Sequence, residues 1–262
     1  MPGTSSFKGG ENTPLLSCEK LRLGYAGEVV VPGISFTIEP GETVALVGES
    51  GSGKSTVAKA LVGLLRPMGG MLAFRGHELG NLTPRQWLPF RKKIQIMFQD
   101  PWHALNPRLP VGQLLAEPLR IHSPEWKRTR RLVRIRELLE QVHLPRDILD
   151  RYPAEFSGGQ RQRILLARAL AVEPELLICD EPVSALDVSI QARLLELLGE
   201  LKRRTGLALL FISHDLAVVQ DMARKVLVMC EGDVVENALA EDLFRSPQHP
   251  YTRELIDASP RW

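Results

Sequence analysis

Short runs rich in Val, Ile, Leu and Phe punctuate the chain at Leu16 to Leu23, Ile34 to Ile38, Thr43 to Val47, Ile94 to Phe98, Leu176 to Cys179, Ala208 to Ile212 and Val226 to Met229. Each is strand-sized. Helical spacing fills many of the intervals: Val57, Leu61, Leu64 and Leu65 predict a helix over Ser55 to Leu65, directly after the run Thr43 to Val47 and a glycine-rich loop. Continuous apolar runs such as Leu176-Leu177-Ile178-Cys179 suit strands covered on both faces, so the expected class is α/β with a parallel sheet. Pro40-Gly41 reads as a turn between neighbouring strands. Strand signals fade between Gln99 and Ser157, while Leu132, Ile135, Leu138, Leu139 and Val142 recur at helical spacing over Trp126 to Val142. That stretch predicts a helical insertion.

With 262 residues, 44% of them hydrophobic, the chain can bury a core of ordinary size in one large domain or two closely joined subdomains. No apolar stretch reaches the about 18 residues that cross a bilayer, so the chain is not expected to span a membrane. Met1 to Pro14 is rich in Gly, Ser, Thr and Pro without an apolar centre, which reads as a flexible tail and not a signal peptide, with the protein on the cytoplasmic side. Cys18, Cys179 and Cys230 are widely separated and read as free thiols, Cys179 as a packing residue in an apolar strand. Thirty-three basic against 31 acidic residues leave a net charge of +2, no general argument for nucleic acid. Lys127, Arg128, Arg130, Arg131, Arg134 and Arg136 are a local exception. They fit a contact with nucleic acid or anionic lipid, or a solvated helix face.

The chemistry begins at Gly48-Glu49-Ser50-Gly51-Ser52-Gly53-Lys54-Ser55, which fits the phosphate-loop pattern G-x-x-x-x-G-K-[ST]. Glycines let the backbone curl so that successive N–H groups face phosphate oxygens, and the following helix presents its positive end. Lys54 would neutralise β and γ phosphate charge and the Ser55 hydroxyl would ligate Mg²⁺. Downstream, an apolar run delivers Asp180 and Glu181 to a strand end, where ligands bind in open α/β sheets. Asp180 would hold Mg²⁺, directly or through water, and Glu181 would orient and polarise the attacking water. Taken alone, that acidic pair equally fits a helix cap or a surface pair. Ser157-Gly158-Gly159-Gln160 opens another apparent helix, either a simple cap or a second anion site. A single phosphate loop needs one cradle, so a second anion site would serve another phosphate-binding event or another molecule.

These motifs in this order resemble the ATP-binding subunit of an ATP-binding cassette (ABC) transporter over residues 15–255. The resemblance implies a P-loop NTPase fold with a RecA-like core, an antiparallel β subdomain and a helical insertion at about 100–170, flanked by tails at 1–14 and 256–262. Gly48 to Thr56 resembles the Walker A loop, Gln99 the Q-loop glutamine, Phe156 to Gln160 the signature and Leu176 to Glu181 the Walker B strand. Ser184-Ala185-Leu186-Asp187 is similar to the D-loop, and His214 to the switch histidine that could bond the γ-phosphate. Tyr25 falls where the family places an aromatic that stacks on adenine. Phe156 stands where leucine is commoner, with apolar character kept. The family's roles make Glu181, His214, Gln99 and Lys54 catalytic. Tyr25, Gly48, Glu49, Ser50, Gly51, Ser52, Gly53, Lys54, Ser55, Thr56, Gln99 and Asp180 would bind ATP, with Ser55, Gln99 and Asp180 around Mg²⁺. Because such subunits pair head to tail, Ser157, Gly158, Gly159, Gln160 and Asp187 would complete the partner's nucleotide site.

Finer resemblance points to the peptide, opine and nickel importer group: Phe98-Gln99-Asp100-Pro101, Leu105-Asn106-Pro107-Arg108, Asp180-Glu181-Pro182-Val183-Ser184-Ala185-Leu186-Asp187-Val188-Ser189 and Ser246-Pro247-Gln248-His249-Pro250-Tyr251-Thr252-Arg253. Many peptide-importer ATPases add a later cysteine cluster that the sequence lacks, which leans toward a nickel or metallophore type. The resemblance implies a heterodimer with a second ABC ATPase, two permease subunits and an extracytoplasmic substrate-binding protein, at the cytoplasmic face of the membrane and without nucleic acid. Gln99 to Arg108 is the candidate permease-facing surface. The alternative is a soluble ABC ATPase acting on DNA or ribosomes. Against it stand the short interval between phosphate loop and signature, which leaves no room for a long coiled coil, and the single Walker A loop.

Overall fold

The computed structural model describes residues 13–184 and 186–258. The expected tails at 1–14 and 256–262 fall largely outside that range, as does Ala185. Along the chain come strands β1 (Leu16–Tyr25), β2 (Glu28–Ile38) and β3 (Thr43–Val47), helix α1 (Lys54–Leu61), β4 (Gly69–Phe74), β5 (His77–Glu78), α2 (Pro84–Lys93) and β6 (Ile94–Met97). Helices α3 (Pro101–Ala104), α4 (Val111–His122), α5 (Arg128–Gln141) and α6 (Gly158–Leu170) then follow without an intervening strand. The remainder is β7 (Leu176–Asp180), α7 (Val188–Thr205), β8 (Ala208–Ser213), α8 (Leu216–Met222), β9 (Lys225–Cys230), β10 (Asp233–Leu239), α9 (Ala240–Arg245) and α10 (Pro250–Ala258).

Two sheets organise these elements. Five strands of the six-stranded sheet, ordered β10-β9-β3-β8-β7-β6, run parallel, with β10 antiparallel at its edge. The four-stranded sheet β2-β1-β4-β5 is antiparallel. Strand alternation explains the apolar runs. Ala45, Val47, Leu177, Cys179, Leu209 and Phe211 face a core shared with α4 to α9. Val44, Leu46, Leu176, Ile178, Leu210 and Ile212 face the other core, against α1, α2 and the antiparallel sheet. With both faces covered, neither alternate position can be polar.

Several expectations shift. Pro40 and Gly41 do turn the chain, but β2 and β3 belong to different sheets, so the turn links two layers and not a paired hairpin. The first helix ends at Leu61, not Leu65: Gly63 has φ +69°, and a Cβ there would come within 2.5 Å of the Trp87 ring. Leu64 consequently lies exposed. Strands β4 and β10 had no counterpart among the expected runs: β4 opens on Gly69-Gly70 and leaves only a short apolar run after them, and in β10 Glu236 and Asn237 interrupt the apolar positions. The final helix extends to Ala258, three residues into the expected tail at 256–262. In α5, Ile135, Leu138 and Leu139 are buried while Arg128, Arg130 and Arg136 stay exposed. Arg134 is held by Glu137, Glu173 and the Leu170 carbonyl, and Arg130 lies over Trp126.

Candidate functional site

Register in the parallel sheet brings the separated motifs together. Val47 pairs with Ser213, Asp180 with Ile212 and Met97 with Cys179. The phosphate-loop segment after β3, the acidic pair ending β7, His214 after β8 and Gln99 after β6 therefore emerge at one carboxyl edge of the sheet, as expected for ligand sites in open α/β folds. A cavity of about 860 Å³ opens there, lined by Gly48 to Gly51, Gly53 to Thr56, Gln99, Glu181 and His214.

Gly48 has φ +149°, and a Cβ on it would lie 2.0 Å from the Met229 carbonyl oxygen. Only glycine fits, so the loop leaves β3 with its backbone pressed against β9. Gly53, at φ +102°, precedes α1 without a side-chain cap, leaving the helix's first N–H groups directed at the loop. The Lys54 ammonium donates to the carbonyls of Gly48 at 2.8 Å and Glu49 at 2.6 Å and to Ser52 Oγ at 3.3 Å. Burial lowers its pKa, against the opposing pull of Glu181, Asp180 and Glu49. Thr56 is buried in α1.

Ser55 Oγ donates to Asp180 Oδ1 at 3.3 Å. Burial raises the Asp180 pKa; the Ser55 bond acts against that and the Glu181 charge acts with it. A hydroxyl and a desolvated carboxylate with oxygens adjoining, beside Gln99, make a hard-oxygen set that fits Mg²⁺. Glu181 is a non-glycine residue at φ +48°, with its N–H still bonded to Ile212 O at 3.0 Å. That left-handed turn costs about 1 kcal/mol or more and aims its carboxylate off the strand into the cavity. There Gln99 Nε2 donates to Glu181 Oε2 at 3.0 Å, and His214 Nδ1 lies 3.3 Å from the same oxygen. The three groups converge where a water could be held and deprotonated.

Not every expected site residue joins this cluster. Tyr25, exposed at the β1–β2 hairpin, is not among the residues lining the cavity. Ser157 caps α6: its hydroxyl accepts from Gln160 N at 3.4 Å while Gln160 Oε1 accepts from Ser157 N at 3.0 Å. Gly158 and Gly159 lie against Leu186 and Ile190, and Asp187 caps α7 by accepting from Ile190 N at 3.1 Å. This second N–H-rich turn is outside the phosphate-loop cavity. Phe156 is buried, with the Arg151 guanidinium 4.5 Å from its ring centre. Cys179 is fully buried, its thiol pushed up to about 12, which fits packing and not chemistry. Sequence reasoning missed Val30, Asp215, Leu255 and Ala258, which also line the cavity, and Tyr251, whose hydroxyl oxygen accepts from Glu49 N at 3.0 Å. The Tyr251 motif was visible, but nothing local ties it to a loop two hundred residues earlier.

A family profile described as ABC transporter matches residues 31–184. A Brucella ovis protein provisionally named a peptide import ATP-binding protein is 48% identical over 252 residues, 95% of this chain and 79% of its own length. The oligopeptide transport ATP-binding protein OppF of Escherichia coli K12 is 49% identical over 230 residues, 88% of this chain and 69% of its own length. Among solved structures, cbiO1 from Clostridium perfringens, part of the ABC transporter complex cbiONQ, aligns with a TM-score of 0.80 at 27% identity, covering 90% of this chain and 92% of that one. A dimeric ATP-binding cassette in a post-hydrolysis state with ADP and Pi aligns at 0.78 and 26% identity, covering 86% and 98%.

Proposed function

The chain belongs to the ABC transporter family as an ATP-hydrolysing subunit, and we propose that it powers peptide import through partner permeases from the cytoplasmic face of the membrane. One observation carries the reading: Lys54, Ser55, Gln99, Glu181 and His214 line one phosphate-loop cavity, with Asp180 bonded to Ser55 behind it, while a second N–H-rich turn at Ser157 to Gln160 stands apart from it. The first set can bind and hydrolyse ATP. In this reading the second serves a nucleotide held by another subunit.

In this reading the loop N–H groups and α1 hold the phosphates, and Lys54 exchanges its bonds to Gly48 and Glu49 for phosphate oxygens. Ser55 and Asp180 would hold Mg²⁺ with Gln99 nearby; the ion, when bound, neutralises charge shared by the β and γ phosphates. Glu181 orients and deprotonates the attacking water, Gln99 holds the Glu181 carboxylate, and His214 donates to the γ-phosphate. Two cassettes close around two ATP molecules, and hydrolysis reopens them. Tyr25, exposed at the β1–β2 hairpin, would stack on the adenine. Residues 15–255 are the cassette, with α3 to α6 as its helical insertion.

The partners are a second ABC ATPase in a heterodimer, two permeases and an extracytoplasmic binding protein. Gln99 to Arg108 is the permease-facing segment: it leads from the site to a groove of about 780 Å³ lined by Asp100, Glu117 and Arg168. The peptide-import names of the relatives favour peptide over nickel or a metallophore as cargo. Among the described residues no helix is long and apolar enough to cross a membrane. Mass spectrometry of proteins co-purifying from gently solubilised membranes tests the assembly. Two permeases and a second cassette are expected; recovery only with ribosomes or DNA-repair proteins would overturn the transport reading. In the reconstituted complex, ATPase stimulation by peptide-loaded binding protein, and not by nickel or a metal chelate, is the expected cargo result.

A further inference from the structure

The Ser246 to Arg253 motif has no part in the mechanism above, yet it touches the phosphate loop. We infer that α10 is a working wall of the nucleotide site and that Tyr251 is a positioning residue for the phosphate loop. The inference rests on reading Gly48 to Ser55 as the nucleotide loop. Tyr251 OH accepts from the N–H of Glu49 at 3.0 Å, and the carbonyl of the same peptide unit, Gly48 O, accepts from Lys54 Nζ at 2.8 Å. That peptide is therefore clamped from two sides. When Lys54 turns to a phosphate, Tyr251 is left as the side-chain hold on it. The hydroxyl pre-organises the loop at the moment its other restraint is withdrawn.

The clamp is anchored in the sheet and not on a free tail. Glu236 on β10 accepts from Gln248 N and His249 N, each at 2.9 Å. His249 Nδ1 accepts from Tyr251 N at 3.2 Å, and Arg253 Nε donates to Pro247 O at 3.0 Å. These bonds fix the start of α10, so the phenol is presented at a set position. Tyr251, Leu255 and Ala258 fall on one face of the helix at i, i+4 and i+7. Leu255 and Ala258 line the cavity with Gln99, Glu181 and His214. The whole segment lies beyond residues 31–184, the part that the family profile matches.

The test uses the full chain, with magnesium-ADP titrations and ATPase kinetics on wild type, Tyr251→Phe and Lys54→Ala, and hydrogen exchange of residues 250–258 with and without ADP. Loss of one hydrogen bond to the loop predicts a Kd and a KM for ATP raised about three- to tenfold in Tyr251→Phe, with kcat within about twofold. Linkage requires ADP to slow exchange in α10 of the wild type, and less so in the variant. A purely structural tyrosine would lower Tm without this KM-against-kcat split. Wild-type Kd and KM in Tyr251→Phe, or α10 exchange that ignores ADP, overturns the inference while leaving the nucleotide site standing. A wild type that binds ADP no better than Lys54→Ala overturns the loop reading and the inference together.

Discussion

At the scale of single residues, the site depends on a few side chains and backbone angles with no ready substitute. Glu181 is one. Its left-handed backbone and its contacts with Gln99 and His214 place a carboxylate in the cavity, where the proposed mechanism has it activate water. Glu181→Gln keeps the shape and the bond to Gln99 but cannot take a proton. It should bind ATP normally and turn over about 10²- to 10⁴-fold more slowly, as read by single-turnover hydrolysis; an unchanged rate would remove Glu181 from its role as base. Gly48 is another. Gly48→Ala puts a methyl 2.0 Å from the Met229 carbonyl at a φ that disfavours side chains. Urea unfolding should show a loss of about 2 kcal/mol or more, with phosphate binding weakened as well, and a stability equal to wild type would contradict the clash. Glycine at 48, Lys54 and Ser55 were all legible from spacing, because a phosphate cradle tolerates few alternatives. The left-handed turn at Glu181 was not, since no residue type announces it.

At the scale of elements, the junction between the two sheets rests on Glu175. It pairs with Arg75, just after β4, and with Lys93 at the end of α2, while its backbone bonds Lys93 O and Ala208 N. Burial works to raise its pKa, but hydrogen bonds from Arg75 and Lys93 outweigh burial and hold it below 4.5, its ordinary value. A depressed carboxylate contributes stability above the unfolded pKa and loses it as pH falls through the folded one. Glu175→Gln should therefore be less stable than wild type at neutral pH by about 0.5–1 kcal/mol. The gap should close as pH drops below 4.5, as followed by thermal melts across pH; a gap that persists in acid would assign the effect to packing. The buried strands β3, β7 and β8 were readable because both faces needed apolar residues. The edge strand β10 and the inner strand β4 were not, because each has exposed positions that need not be apolar.

At the scale of the whole molecule, the phosphate loop and the signature turn lie apart on one chain, and the proposed assembly has each signature turn complete the partner's nucleotide site. Ser157→Arg leaves the phosphate loop of its own chain untouched. It should therefore keep normal ADP affinity in the isolated subunit while the assembled transporter loses about 10²-fold or more in ATPase rate. Isothermal titration of the subunit and phosphate release by the complex measure the two halves. Full turnover by the assembled Ser157→Arg complex would mean that the signature turn is only a helix cap.

The sequence by itself determined the α/β class and the phosphate-loop motif that points to ATP, because phosphate binding and doubly covered strands each demand particular residues at short spacing. Tertiary structure alone decided which separated segments meet. The pairing of Val47 with Ser213 and Asp180 with Ile212 sets the sheet edge on which the motifs converge. The docking of α10 brings Tyr251 to Glu49 across more than two hundred residues. Local pattern carries no record of such contacts, since a tyrosine hydroxyl needs only one distant N–H in the right place and leaves no periodic trace in the chain.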